Sequence, residues 1–294
     1  MSMPRISSIA LRWTYIALTL FASAALPSGA ADHGDTPLLT AVQREDAKLT
    51  DLFAFVREDR LVLAMDINPS IPAGVDSYVF PSDATFRLHL DNASKVSFRD
   101  PEDLEELGGT VRFPLLIQER VVFEITFDED GRTPRLRTKG LPGGSEAFVR
   151  LFTGLRDDPF IRRTRIGRNV ASIVLELPLS LVLRKGSTLL VWGTSEIPTI
   201  NGSQVEHAGR ALRSQFPEND GMNLLHPRFH RAFLGVAPDV LIFDTAQAAA
   251  FPNGRELTDD VVDLVGRPLA NEEPSPEEND VPFLDHFPYL APPH

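Results

Sequence analysis

The sequence predicts a mainly β protein: an antiparallel β-sandwich with short helices and an irregular C-terminal segment. Three observations carry this expectation. Apolar and polar residues alternate with a period of two in several runs between residues 51 and 195, the spacing that lays one face of a strand on a core. No long helical pattern separates the runs, which disfavours a parallel sheet with helical crossovers. The chain also holds 24 prolines and 19 glycines, enough to turn it at short intervals.

Taken in order, Leu52 to Val56 and Arg60 to Ile67 flank Arg57, Glu58 and Asp59 and read as a hairpin. Phe86, Leu88 and Leu90 alternate with Arg87 and His89, as a half-buried strand requires. Val121, Phe123, Ile125 and Phe127 alternate in the same way, and Asp130-Gly131 then signals a tight turn. Phe148 to Phe152, Val170 to Leu177 and Thr188 to Trp192 complete a set of strands that two packed sheets accommodate. Further on, Val205 to Phe216 and Met222 to Phe233 read as short helices or loop excursions. Leu257, Val261, Leu264 and Val265 have helical spacing, with Thr258 placed to cap. Residues 271–279 form a polar surface loop. The tail from Val281 to His294 is rich in aromatic and aliphatic groups and is expected to dock on the core. No linker divides residues 32–294, so a single β-rich domain is expected there.

Residues 1–31 read as a cleavable signal peptide. Arg5 and Arg12 precede or flank an uncharged apolar run from Trp13 to Leu26, and small residues follow at Ser28, Gly29, Ala30 and Ala31. The run is shorter than the ~20 residues of a spanning helix. The expectation is therefore a periplasmic or extracellular protein, exported by the general secretory route, with no stable membrane insertion after cleavage. The whole chain carries a net charge of −12, and removal of residues 1–31 takes away two arginines and no acid, leaving −14. Such a balance argues against nucleic acid as a partner and leaves a small molecule or a protein. There is no cysteine, so a metal site must use histidine, carboxylate, carbonyl or water.

His33 and Asp35 stand at the expected new N-terminus, and His286 and His294 lie in the tail. Chain ends of one domain often meet, so these four can build a divalent-metal site. Asp157 and Asp158, after Arg156 and before Pro159, form an unusual acidic turn suited to a calcium ion or to a structural bend. His226 and His230 are spaced to share a helix face, but residue 227 is proline, so the zinc-protease motif is missing and solvated surface histidines are expected. His89 is expected to face solvent or to be a hydrogen-bonded strand residue. Asp128-Glu129-Asp130-Gly131 is explained by a hairpin turn. No nucleophile elbow, phosphate-binding loop or dinucleotide fingerprint is present.

Four strings resemble the DUF4331 family of exported bacterial domains of unknown function. They are His33-Gly34-Asp35-Thr36-Pro37; Asp51-Leu52-Phe53-Ala54-Phe55; Gly154 to Phe160 with Asn169-Val170 and Ile173 to Pro178; and Asn279 to Phe283 with Phe287 to His294. The Asp-rich loop common in that family is here Asp91-Asn92-Ala93-Ser94. Its Arg-x-Gly-Arg-Pro string is His207-Ala208-Gly209-Arg210-Ala211. The resemblance implies export but no activity; it marks His33, Asp157, Asp158 and His294 as motif positions, and Arg156 and Arg210 join them as ligand-binding candidates. The favoured expectation is a non-enzymatic binding domain with a structural cation. The alternative is a metal-dependent enzyme whose site joins the mature N-terminus to the tail. A third, carbohydrate or cofactor binding on a sheet face, calls for an exposed Trp192 or Tyr78.

Overall fold

The β1–β2 hairpin opens the sandwich. Strands β1 (Leu49–Arg57) and β2 (Arg60–Pro72) pair from Arg57↔Arg60 back to Leu49↔Ile67. In this computed structural model residues 36–159, 168–184, 186–210, 217–266 and 279–294 are described. The expected signal peptide, His33, Asp35 and most of the loop expected at 271–279 lie outside them.

The first sheet has the order β1-β2-β9-β8, with β8 at Arg150–Asp157 and β9 at Arg168–Pro178. The second has the order β11-β10-β3-β6-β7. Its members are β3 (Thr85–Asp91), β6 (Val121–Phe127), β7 (Pro134–Lys139), β10 (Thr188–Glu196) and β11 (Gln204–Ala208). Strand β12 (Leu241–Asp244) pairs with the first half of β10 and β11 with the second half, so the two share one edge end to end. A small ribbon joins β4 (Val96–Ser97) to β5 (Thr110–Val111). Helix α1 (Pro37–Ala41) precedes the first sheet, and α2 (Pro101–Leu107) lies between β4 and β5. Every described strand pairing is antiparallel, as the alternation predicted.

Alternation also decides which side chains meet. Leu61, Leu63, Met65 and Ile67 of β2 face inward onto Phe86, Leu88 and Leu90 of β3 and Phe123 and Ile125 of β6, in one core shared by both sheets. Gly193 on β10 sits where a Cβ would lie 2.7 Å from the Met65 sulfur, so the sheets approach closely there on a bare backbone.

Both outer faces are covered in part. On the first sheet Phe53, Phe55, Val62, Ala64 and Val174 pack beneath Leu257, Tyr289 and Leu290. On the second, Leu190 and Trp192 pack with Val111, Ile117, Val240 and Ile242. The expected docking of the tail is thus observed. Glu176 on β9 anchors it: its carboxylate accepts from Tyr289 Oη at 2.5 Å and pairs with Arg60 at 2.6 Å and Arg150 at 2.8 Å.

Some elements differ from expectation. Of the segment Val205 to Phe216, expected as a helix or loop, residues 205–208 belong to strand β11, because their backbone completes the free half of the β10 edge, and residues 211–216 lie outside the described residues. Phe148 ends a 3-10 turn, and its strand begins at Arg150. The helix expected around Leu257 to Val265 is one short π turn, Val262–Gly266, and Asp260 rather than Thr258 caps it, accepting from the Asp263 N–H at 3.2 Å. Residues 217–234 form a succession of short 3-10 and π turns. Among the described residues no helix is long and apolar enough to cross a membrane.

Candidate metal centre

Strand β8 is an edge of the first sheet, and its last residue, Asp157, lies opposite Asn169 of β9. An edge strand has backbone groups to spare, and the tail takes them. The Asp157 N–H donates to the Ala291 carbonyl at 3.2 Å. Asn169 then fixes the last residue: its Oδ1 accepts from the His294 N–H at 2.8 Å, and the His294 carbonyl accepts from the Gly74 N–H at 3.0 Å. With its backbone held on both sides, His294 turns its imidazole back over β8. Its Nε2 lies 2.9 Å from Asp157 Oδ1 and 3.4 Å from Asp280 Oδ2. Asn279 Nδ2 donates to the other Asp157 oxygen at 2.9 Å. One ligand atom each from Asp157, Asp280 and His294 falls within 4.8 Å of the others.

The electrostatics of this corner are unfavourable as it stands. Asp157 is buried, and burial pushes its carboxyl up to about 6; Asp280 adds to this, while Asn279 and His294 work against it. A cation placed among the three groups would compensate the buried charge and separate the two carboxylates. Two carboxylates with one imidazole suit a transition-type divalent ion better than calcium, which prefers oxygen throughout.

No family model matches this chain, and neither a curated protein nor a solved structure matches it.

Of the residues nominated from sequence, Asp157 and His294 are brought together. His33 and Asp35 lie outside the described residues; Thr36, the first described, is buried on the second sheet, where its hydroxyl donates to Glu206 of β11. His286 is exposed and pairs with its neighbour Asp285 at 2.7 Å. Asp158 is buried beside Asp157, and its N–H donates to the Arg168 carbonyl at 3.3 Å, but its carboxylate is not one of the three. Arg156 stacks on Phe152 at 4.0 Å, within the field of buried Asp66. Arg210 is buried and donates from Nη2 to the Pro238 carbonyl at 2.9 Å and from its N–H to Asp239 at 2.8 Å, contacts that fix a turn. Asp280 was missed as a ligand. Its only signal was its place in the string Asn279 to Phe283.

The other histidines correct the expectation of solvated side chains. His230 is fully buried, with Nε2 2.9 Å from the Leu225 carbonyl and Nδ1 accepting from the Asp239 N–H at 3.1 Å. His226 is half-buried and caps a 3-10 turn, its Nδ1 accepting from the Arg228 N–H at 3.1 Å. His89 takes the hydrogen-bonded alternative: it is buried, 2.9 Å from Thr194 Oγ1, and stacked on Trp192 at 5.0 Å. Trp192 is itself fully buried, and Tyr78 is half-buried with its ring edge-on to Phe80. Neither offers the exposed aromatic platform that sheet-face sugar binding called for.

Proposed function

We propose that this is an exported, non-enzymatic β-sandwich that binds a ligand or partner, and that a divalent cation held by Asp157, Asp280 and His294 clips its last segment to the sheet edge. The observation that carries the cation is the convergence of those three ligand atoms within 4.8 Å from two segments far apart in sequence. Export rests on the leader-like residues 1–31 and on the resemblance to the DUF4331 family. N-terminal sequencing of the protein recovered outside the cytoplasm tests it: a start at Ala31 or Asp32 is expected, and an intact Met1 refutes cleavage.

Metal analysis of purified protein and thermal melting before and after chelation test the cation. Zinc or manganese at one hundred times its Kd should stabilise the wild type by about 2.7 kcal/mol. Asp280→Asn, an exposed change, should abolish the effect. No bound metal and an unmoved melting temperature would remove the cation from the account.

A second reading is favoured by the ligand count. Three protein ligands leave room for a water, as catalytic metal sites do, and His33 and Asp35 are candidates to complete such a site. Metal-dependent hydrolysis of a generic ester, lost in Asp280→Asn, would establish it; no turnover with metal bound would exclude it for that substrate class.

A further inference from the structure

The β4–β5 ribbon has one face turned to the protein and one turned out. Val96 and Val111 are register partners and pack toward Leu190 and Trp192 of the second sheet. Ser97 and Thr110 are the next register pair, so their side chains leave from the opposite face. Arg99 and Arg112 lie two residues further along in opposite directions, and the Arg112 N–H still pairs with the Lys95 carbonyl at 2.9 Å. All four line one groove of about 480 Å³, together with Asp100 and Phe113.

The charges of this groove matter to what it can hold. The chain is strongly acidic, and many of its arginines find carboxylates. Arg44 pairs with Asp46 and Asp83, Arg57 with Glu256, and Arg87 with Glu124 and Glu196. Arg99 and Arg112 are exposed, and their guanidinium groups have no hydrogen-bond or ion-pair partner among the described residues. The two acids on the adjoining turn are engaged by α2 and by β5. Asp100 caps α2, accepting from the Glu102 and Asp103 N–H groups at 3.1 and 3.3 Å, and Asp103 accepts from the Thr110 hydroxyl. Beside the two guanidiniums Phe113 is 53% exposed, an apolar wall next to a cationic floor.

We propose that this groove binds a small organic acid, a carboxylate or phosphate ester on an apolar or aromatic body. Arg99 and Arg112 grip the oxyanion from two sides, as guanidinium forks do. The Ser97 hydroxyl adds a donor, and Phe113 covers the apolar body. The site lies on the second sheet, away from the cation at the β8 edge.

Calorimetric titration of the full chain with phenyl phosphate, benzoate and inorganic phosphate tests it, run in chelator so that the result is independent of the metal. Saturable binding of phenyl phosphate or benzoate, tighter than that of inorganic phosphate, is expected; the tighter of the two identifies the oxyanion. The double variant Arg99→Gln, Arg112→Gln changes only exposed side chains and should keep the wild-type circular dichroism while weakening binding about ten- to hundred-fold. Arg132→Gln, exposed and outside the groove, should bind as wild type. Three results overturn the proposal: no saturable binding at millimolar ligand, inorganic phosphate binding as tightly as phenyl phosphate, or the double variant binding like the wild type.

Discussion

His230 has both ring nitrogens committed. Its Nδ1 accepts from the Asp239 N–H and its Nε2 faces the Leu225 carbonyl, so only the neutral ring protonated at Nε2 fits. Burial, with His207 nearby, pushes both His230 and His226 down to about 4. An unfolded chain would take up those protons nearer the ordinary histidine value of about 6.5. The unfolded state therefore binds more protons between these limits, so this contribution is intact above pH 6.5 and is lost as pH falls toward 4. Urea melts at pH 7 and pH 5 should show a smaller loss on acidification for His230→Gln than for the wild type; equal losses would show that this ring is not responsible. At Glu176 burial raises the carboxyl, but the Tyr289, Arg150 and Arg60 contacts outweigh it and hold the group below its ordinary value. Tyr289→Phe removes one of these charge-assisted bonds and should cost about 1–3 kcal/mol by urea denaturation. Neither role is legible in sequence, where a histidine in a proline-containing turn and a tyrosine near the end of the chain show no partners.

At the scale of elements, legibility followed the number of buried faces. Strands β3 and β6 keep alternating patterns, and their registers in the second sheet follow. In β1 and β2 the outward residues Phe53, Phe55, Val62 and Ala64 are apolar as well, because the tail covers them, so the runs read as strands but hide a third layer. Strand β7 was overlooked. It is an edge strand whose Arg135, Arg137 and Lys139 are exposed, and a polar edge carries little hydrophobic signal. The tail gave itself away by composition alone. Leu290 is its deepest side chain, and Leu290→Ala should destabilise by about 2–5 kcal/mol, with increased binding of a hydrophobic dye to the uncovered face of the first sheet. A dye signal equal to that of the wild type would mean the tail stays docked without it.

For the molecule as a whole, the sandwich depends on how closely its two sheets approach. Gly193 faces Met65 across the interface, and Gly193→Ala should cost about 1–3 kcal/mol by overpacking, with the smaller value if the methionine chain can swing aside. The candidate metal centre was half legible. Asp157 and His294 stand in recognisable strings, but only the folded chain shows that Asn169 and Gly74 hold His294 over β8, and that Asp280 completes the set. The arginine groove was invisible, since it depends on a two-residue strand register and on where neighbouring carboxylates point. The docked tail also bears on the order of assembly. Synthesis delivers the chain from its N-terminus, so β1 and β2 emerge early, while Phe53 and Phe55 are covered only once Leu257, Tyr289 and Leu290 have been made. Until they arrive the first sheet has an apolar outer face and an unsealed β8 edge, features that make partly made proteins sticky. The nascent chain stays in that state until the segment holding Tyr289 and Leu290 has been made, so the docking of that segment is the moment at which the first sheet stops needing protection.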